Sequence, residues 1–488
     1  MRWPTQSLLL SSLAAVISLS SCSRTGQPEV HVDGRPYSGV TLNVGIEAAP
    51  VDIALRNRLP RIREELGVEI QIVPLEYGTL FEKILTDFIT GTGSFDIVVY
   101  FARYNGDYMG AGFLRSLDEY VQEYPPDYLD ILPAFRKLYS EWEGRIYALP
   151  YDGDYFLLYY RKDLFGHPEE RSDFKQRYGY DLGPPDTWDE WLDIAEFFTR
   201  KPGETLAGEV LTDNFYGISE YWGRARAYAW FLNRFGSYSG LFFDENMEPR
   251  INSPSAVAAL EHCVQSFRYN TPGPLGHTWW NVREDLLFGK VAMIFGWPDV
   301  GKAAHEPTQS KVVGKVGFAP SPGVRDPDTG AIRRATALVS GRVMAVSQSC
   351  QNPEAAYQVI RLMSSQDVSM TNISEANSHC DPFRLHHLDH PELWKVRFDG
   401  LEEYLSASRA ALDVGFPELT IPGAEEYHDV LSRHVQEALQ RSISPQQALD
   451  GVATEWRAIT RRRGLEAQRR AWKSQLSAMQ QLNLVPSD

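Results

Sequence analysis

The stretch from Gly39 to Val99 decides the fold. It opens with Gly39–Ile46 (GVTLNVGI), where every second residue is apolar, as in a half-buried strand. A helical segment, the strand-like run Val68–Val73 (VEIQIV) and a second helix, Leu80–Ile89 (LFEKILTDFI), follow. The run Phe95–Val99 (FDIVV) closes the series. This β-α-β-α-β order predicts an α/β protein with a parallel sheet covered by helices.

Composition narrows the class of partner. The chain has 488 residues, 43% hydrophobic and 23% charged, so we expect a globular protein of more than one domain. The formal net charge is -16, which disfavours nucleic acid as a partner because a polyanion attracts basic surfaces. The longest basic run, Arg461–Arg463, falls at a predicted helix end and is interpreted as a solvated terminus.

The amino terminus predicts export. Residues 1–21 contain Arg2 and the apolar run Ser7–Ile17, which is typical of a signal peptide and short for a membrane span. The run ends in Leu19-Ser20-Ser21-Cys22, which resembles a bacterial lipobox and implies lipidation of Cys22. Residues 22–38 are polar and hold several Gly and Pro, so we expect a flexible tether.

Three cysteines remain after the tether: Cys263, Cys350 and Cys380. An odd number cannot pair completely, so one disulfide with a free thiol and three free thiols are both open. The sequence has no CxxC motif, and it gives no support to redox catalysis or a cysteine zinc site.

Six later motifs stand out along the chain. They are Gly144–Pro150 (GRIYALP), Leu157–Phe165 (LLYYRKDLF), Pro184–Trp191 (PPDTWDEW), Gly289–Met293 (GKVAM), Val316–Gly323 (VGFAPSPG) and Asn352–Ala356 (NPEAA). Each motif is weak alone, but their conjunction and order are specific, and together they resemble the family 1 bacterial extracellular solute-binding proteins.

The resemblance implies a periplasmic-binding-protein-like type II α/β fold. One lobe would comprise residues 39–150 and 343–382, and the other residues 151–342 and 383–488. A hinge would close the lobes over a solute held between them. The implied function is the substrate-binding component of an ABC importer for a carbohydrate or sugar-like solute. The protein would act as a lipid-anchored monomer in the cell envelope, beside membrane permease subunits and without a cofactor.

A sugar site needs aromatic planes for C–H faces and polar groups for hydroxyls. By position in the family pattern, Trp297 is expected to stack on the ligand and Asp154 to accept its hydroxyl hydrogens. The resemblance assigns weaker candidates to the same cleft: Tyr100, Arg103, Tyr104, Asp107, Asp152, Trp222, Arg224 and Tyr427. Maltose-binding proteins carry an Asp–Arg pair where this chain has Arg103 and Tyr104, which argues against maltose as the ligand.

Three other functions compete with transport. An enzyme would need a nucleophile motif or a carboxylate pair flanking a bond. The sequence has no G-x-S-x-G or H-E-x-x-H motif, and Asp152 and Asp154, as close neighbours on one strand, would meet the carboxylate geometry only by chance, so we expect no enzyme. A metal-binding protein could use the imidazole-rich stretch His379–His390, which holds His379, Cys380, His386, His387 and His390. A ligand-binding sensor lipoprotein would have the same fold, and the sequence does not separate it from an importer component.

Overall fold

The computed structural model describes residues 34–48 and 50–485. Lipidation of Cys22 and the signal peptide lie outside the described residues. The end of the predicted tether is packed on the fold: the Tyr37 amide donates to the Leu66 carbonyl (2.9 Å), and its hydroxyl donates to Glu354 (2.7 Å). The folded part of the chain therefore begins before residue 38.

The strands are β1 (Thr41–Glu47), β2 (Glu69–Leu75), β3 (Ile97–Phe101), β4 (Glu141–Trp142), β5 (Arg145–Ile146), β6 (Ala148–Asp152), β7 (Leu157–Arg161), β8 (Thr205–Leu206), β9 (Glu209–Val210), β10 (Tyr216–Ser219), β11 (Val291–Gly296), β12 (Val316–Ala319), β13 (Gly323–Arg325), β14 (Ile332–Arg334), β15 (Thr336–Leu338), β16 (Arg342–Val346) and β17 (Gly415–Pro417).

The helices are α1 (Ile53–Leu66), α2 (Leu80–Thr90), α3 (Asn105–Tyr108), α4 (Asp118–Glu123), α5 (Lys162–Phe165), α6 (Pro168–Tyr178), α7 (Trp188–Phe197), α8 (Ala227–Ser237), α9 (Pro254–Ser266), α10 (Trp279–Leu287), α11 (Asp299–Ala304), α12 (Pro353–Met363), α13 (Gln366–Ser374), α14 (Leu385–Asp389), α15 (Leu401–Leu412), α16 (Ala424–Leu439), α17 (Pro445–Arg463) and α18 (Leu465–Gln481).

The first lobe is a five-stranded sheet of order β2-β1-β3-β16-β6, with α1, α2 and α12 packed against it. Strands β1, β2 and β3 run parallel, as the opening stretch of sequence predicts, and β16 runs antiparallel to both of its neighbours. Gly91 caps the carboxyl end of α2, directly after Thr90. Its φ of 65° places it in the left-handed region in which helices commonly end.

The second lobe is a four-stranded sheet of order β10-β11-β7-β12, covered by α7, α10 and α15. A capping box of Thr187 and Glu190 starts α7, and Trp188 and Trp191 are core residues. At α4, which starts at Asp118, the Ser116 hydroxyl is instead bonded to the Asp118 side chain (2.6 Å).

The chain passes between the lobes twice near the site, from β6 to β7, and from β15, which pairs with β17 in a small separate sheet, to β16. The strands differ slightly from the expected lobe limits, since β6 continues to Asp152 and β16 begins at Arg342. Of the carboxyl-terminal helices, α16 and α18 contact the first lobe, while α16 and α17 pack on α8 and α9 of the second. None of the helices in residues 34–48 and 50–485 is long and apolar enough to cross a membrane.

Candidate functional site

A cavity of about 320 Å³ lies between the two sheets. It opens where strands end: Glu47 is the last residue of β1, Phe101 is the last of β3, and Trp297 directly follows β11. Arg342 opens the antiparallel β16 and is in register with Phe101 and Asp152. Open α/β sheets place their ligands at such carboxyl-terminal edges, because loops rather than helices or strands form the surface there.

Three tryptophans form one wall of the cavity. The Trp297 and Trp279 rings meet edge to face at 4.5 Å, and Trp297 Nε1 donates to the Val339 carbonyl (3.0 Å). Gly296 permits this approach, since a Cβ at that position would lie 2.7 Å from the Trp279 ring. Trp280 stands at the rim with 46% of its surface exposed. The wall offers the flat apolar faces on which the C–H face of a sugar or polyol can lie.

The floor of the cavity is an ion network around Arg342. Its guanidinium donates to Asp152 (2.6 Å), Asp154 (3.3 Å) and Glu47 (2.9 Å), and it lies 4.6 Å from the centre of the Phe101 ring. One arginine therefore joins β1, β6, β16 and the crossing segment. Its charge is already matched by carboxylates of the protein.

Three carboxyl groups converge behind this arginine, those of Asp152, Asp154 and Asp381, and oxygen atoms from the three lie within 4.8 Å of one another. Gly153 allows the contact, because a Cβ there would lie 2.2 Å from the Pro382 carbonyl oxygen. The backbone amide of Asp381 donates to Asp152 (2.8 Å).

Burial raises the pKa values of Asp154 and Asp381 well above the usual range, and the charge of Asp152 raises both further. The Arg342 guanidinium opposes the increase at Asp154, and the Lys302 ammonium opposes it at Asp381. Two like charges this close repel each other strongly in a dry site, which favours the protonated form of one of the two carboxyl groups. The carboxyl oxygens would suit a cation, but the Arg342 guanidinium already bonds to Asp152 and Asp154.

Asp299, at the start of α11, lines the cavity together with His379. Their closest atoms, Asp299 Oδ2 and His379 Nδ1, are 2.9 Å apart. Burial acts to raise the pKa of Asp299, but His379, Arg283 and Lys302 outweigh it and leave the pKa below its ordinary value. Asp299 is therefore ionised at neutral pH.

Arg226 contributes the remaining strong charge of the cavity. It is only 3% exposed, and its guanidinium lies 5.3 Å from the Tyr77 ring centre and 5.5 Å from that of Phe101. Tyr221 lines the same side. The cavity thus combines aromatic faces, carboxyl groups and guanidinium groups, which can bind a polyhydroxylated molecule through stacking and hydrogen bonds.

Two of the sequence-predicted residues, Asp154 and Trp297, line the cavity, and Asp152 lies just behind Asp154 as a partner of Arg342. Two more are buried close to Phe101: the Arg103 guanidinium lies 4.1 Å from that ring centre, and the Tyr104 ring meets it edge to face at 5.9 Å.

The other five predicted residues do not line the cavity. The Tyr100 hydroxyl bonds to Asn105, Asp107 accepts from the Gly423 amide, and Trp222 is buried beside Glu220. Arg224 forms a two-bond ion pair with Asp429, and the buried Tyr427 hydroxyl bonds to Thr460 and Gln468.

Sequence reasoning missed most of the lining, including Glu47, Tyr77, Phe101, Tyr221, Arg226, Trp279, Trp280, Asp299, Ser340, Arg342 and His379. Several of these stand at or just beyond strand ends. The rule that parallel strands deliver their ligands at the carboxyl edge would have pointed to Glu47 and Phe101.

The predicted histidine cluster is dispersed. His379 faces Asp299 in the cavity, while His387 is buried against Ser369 (2.8 Å) and His390 lies beside Glu392 at the surface. Within the part of the chain that the structure describes, the only convergent group of metal-ligand side chains is Asp152, Asp154 and Asp381. The His386 and His390 rings lie 4.4 Å apart, but His379 and His387 face other partners, so these side chains do not converge and the proposed imidazole metal site is wrong. All three cysteines after the tether are buried free thiols.

Two α/β lobes with a ligand-sized cavity between strand ends define the class of periplasmic-binding-protein-like solute receptors. A family model of bacterial extracellular solute-binding proteins matches residues 62–370. The structure of an ABC transporter solute-binding protein from Agrobacterium radiobacter in complex with ribitol covers 87% of this chain and 100% of its own, with a TM-score of 0.70 and 24% identity.

Two relatives found by sequence are also named as binding proteins. The mannitol-binding protein of Pseudomonas aeruginosa is 30% identical over 281 residues, which cover 56% of this chain and 58% of that protein. A probable amino-acid ABC transporter periplasmic-binding protein of Sinorhizobium fredii is 22% identical over 444 residues, covering 88% and 91%. The match thus spans just over half of the first relative and nearly all of the second. The chain belongs to the bacterial extracellular solute-binding proteins.

Proposed function

We propose that this protein captures a sugar-like or polyol solute outside the cytoplasmic membrane and delivers it to an ABC importer. The observation that carries the proposal is the cavity between the lobes, where Trp279, Trp280 and Trp297 face Asp154 and Arg226. Aromatic planes with convergent polar groups suit C–H faces and hydroxyls together. The cavity volume of about 320 Å³ suits a monosaccharide-sized ligand better than a long oligosaccharide.

Capture would proceed by closure of the lobes. The Lys302 ammonium, on the second lobe, donates to three carbonyls of the first lobe: that of Ile373 in α13 (2.7 Å), and those of Ser378 (2.7 Å) and Cys380 (3.2 Å) in the segment after that helix. These bonds supply a contact that a hinge motion would make or break. The protein would bind its solute without chemical change, as a monomer, anchored by a lipid on Cys22.

Calorimetric titration with sugars, polyols and amino acids tests this function. We expect a sugar or polyol to bind and to reduce the radius of gyration in small-angle scattering. Amino acids serve as the matched comparison, because one relative is named for them. Binding of amino acids alone, or of no member of the panel, would reject the proposal.

A further inference from the structure

One cation of the cavity lacks an ionic partner. Arg226 makes no ion pair with any carboxylate among the described residues, whereas Arg342 is bound to Glu47, Asp152 and Asp154. Nη1 of Arg226 donates to the Tyr228 hydroxyl (2.8 Å). Within the described ranges this is the one hydrogen bond of the guanidinium, although the side chain is 3% exposed and lines the cavity.

The surroundings do not neutralise this charge directly. The Tyr228 hydroxyl donates to Glu418 (2.6 Å), so that carboxylate reaches Arg226 through a hydroxyl. Burial acts to raise the pKa of Glu425, but Arg103 and Arg226 outweigh it; this second carboxylate is bonded to Arg103 and not to Arg226. The neighbouring Arg103 is a second cation on the same Phe101 ring and has its own partner in Glu425 (2.8 Å). A buried charge without a direct partner is costly, and an anion supplied by the ligand would remove that cost.

We propose that the ligand is a sugar acid of the aldonate or uronate type, with its carboxylate bound to Arg226 and its carbon chain against the tryptophan wall. This inference rests on the proposed function and specifies its substrate class. A guanidinium fits a carboxylate through two parallel hydrogen bonds. A phosphate fits less well, because it brings about 1.5 to 2 negative charges to a cavity that also holds Asp154, Asp299 and Glu47.

Matched pairs of solutes test the proposal by calorimetry: D-gluconate with D-glucitol, D-galacturonate with D-galactose, and D-ribonate with ribitol. We expect one acid to bind at least tenfold more tightly than its neutral partner, and added salt to weaken its binding. Arg226→Gln should abolish the preference, and Arg226→Lys should retain part of it. Arg224→Gln is the matched control, because Arg224 lies two residues away, outside the cavity and paired with Asp429; it should keep the full preference.

The outcomes separate the two proposals. If a neutral polyol or sugar binds as tightly as its acid, or more tightly, the sugar-acid inference is wrong while the solute-binding proposal stands. If neither series binds, both fail. A folded Arg226→Gln protein that keeps the preference would overturn the assignment of Arg226. If Arg226→Gln does not fold, the assignment of Arg226 is tested by comparing the preference for acids over neutral solutes in wild type and in Arg226→Lys.

Discussion

Arg342 Nη1 lies 2.6 Å from Asp152 Oδ2, and this pair ties together the two strands at which the chain passes between the lobes. The Asp152 side chain is fully buried, and that of Arg342 is 12% exposed. Glu47 and Asp154 share the same guanidinium. A single positive charge thus holds three carboxyl groups at the floor of the cavity.

Replacing Arg342 with methionine should therefore destabilise the protein strongly. The change leaves buried carboxylates without a counter-charge, and breaking such a pair costs about 3–5 kcal/mol. Chemical denaturation at neutral pH measures the loss. Arg224→Gln is the control, because the exposed Arg224–Asp429 pair should contribute about 1 kcal/mol or less. Equal losses in the two variants would contradict the central place of Arg342.

The Asp154–Asp381 pair predicts how stability depends on pH. The pKa values of both groups are raised in the folded state. Their contribution to stability is complete below the unfolded value of about 3.9 and is lost as pH rises through the folded pKa. Asp381→Asn keeps a neutral group in place, so its free energy of unfolding should fall less steeply with rising pH than that of wild type. Urea unfolding across a pH series measures both slopes, and parallel curves would refute the raised pKa.

The raised pKa of Asp154, which burial causes, also distinguishes two substitutions at that position. Asp154→Asn preserves a neutral polar group of the same shape, so it should bind ligand nearly as well as wild type. Asp154→Ala removes the ligand's hydrogen-bond partner and should weaken binding about tenfold or more. Calorimetry with the cognate solute compares them. A loss of binding in the Asn variant as large as in the Ala variant would show that Asp154 acts as a charged carboxylate.

Substitutions of two tryptophans in the cavity wall should affect solute binding and protein stability differently. Trp280 is about half exposed, so Trp280→Ala should weaken solute binding while leaving the melting temperature nearly unchanged. Trp297 is buried against Trp279 and bonded to Val339, so Trp297→Ala should weaken binding and also cost about 3–5 kcal/mol of stability. Thermal unfolding and titration of both variants measure these effects. A stable Trp297→Ala protein would contradict the packing argument.

The lipid anchor is tested in cells. Because Leu19-Ser20-Ser21-Cys22 resembles a lipobox, Cys22→Ser should move the protein from the membrane fraction to the soluble fraction or leave its signal peptide uncleaved. Fractionation and mass spectrometry of the amino terminus measure this. The matched control is Cys263→Ser, which changes a buried thiol of the fold and should leave the anchor intact. Unmodified Cys22 in the mature wild-type protein would exclude lipidation.

The sequence by itself determined the fold class, the order of the first elements and the family. Period-2 and period-3.6 patterns are local signals, so β1, β2, β3 and α2 could be located from residues near in the chain. Trp297 and Asp154 were placed in the cavity because they follow motifs that resemble the family's. The sequence could not show whether Tyr427 and Trp222 face the cavity or the core. An aromatic residue on a helix or in a loop suits both places, and only its burial in the fold distinguishes them.

Only the tertiary structure decided which charges meet. Glu47, Asp152, Asp381 and Arg342 are far apart in sequence, and no local pattern links them; the register of β16 with β3 and β6 brings them to one edge. The partners of Arg226 and the spacing of Asp154 and Asp381 depend on side-chain packing over the whole fold. The raised pKa values of Asp154 and Asp381, and the lack of an ion pair at Arg226 within the described residues, arise from that packing. Burial and the distance between charges set electrostatic energies, and a linear sequence specifies neither.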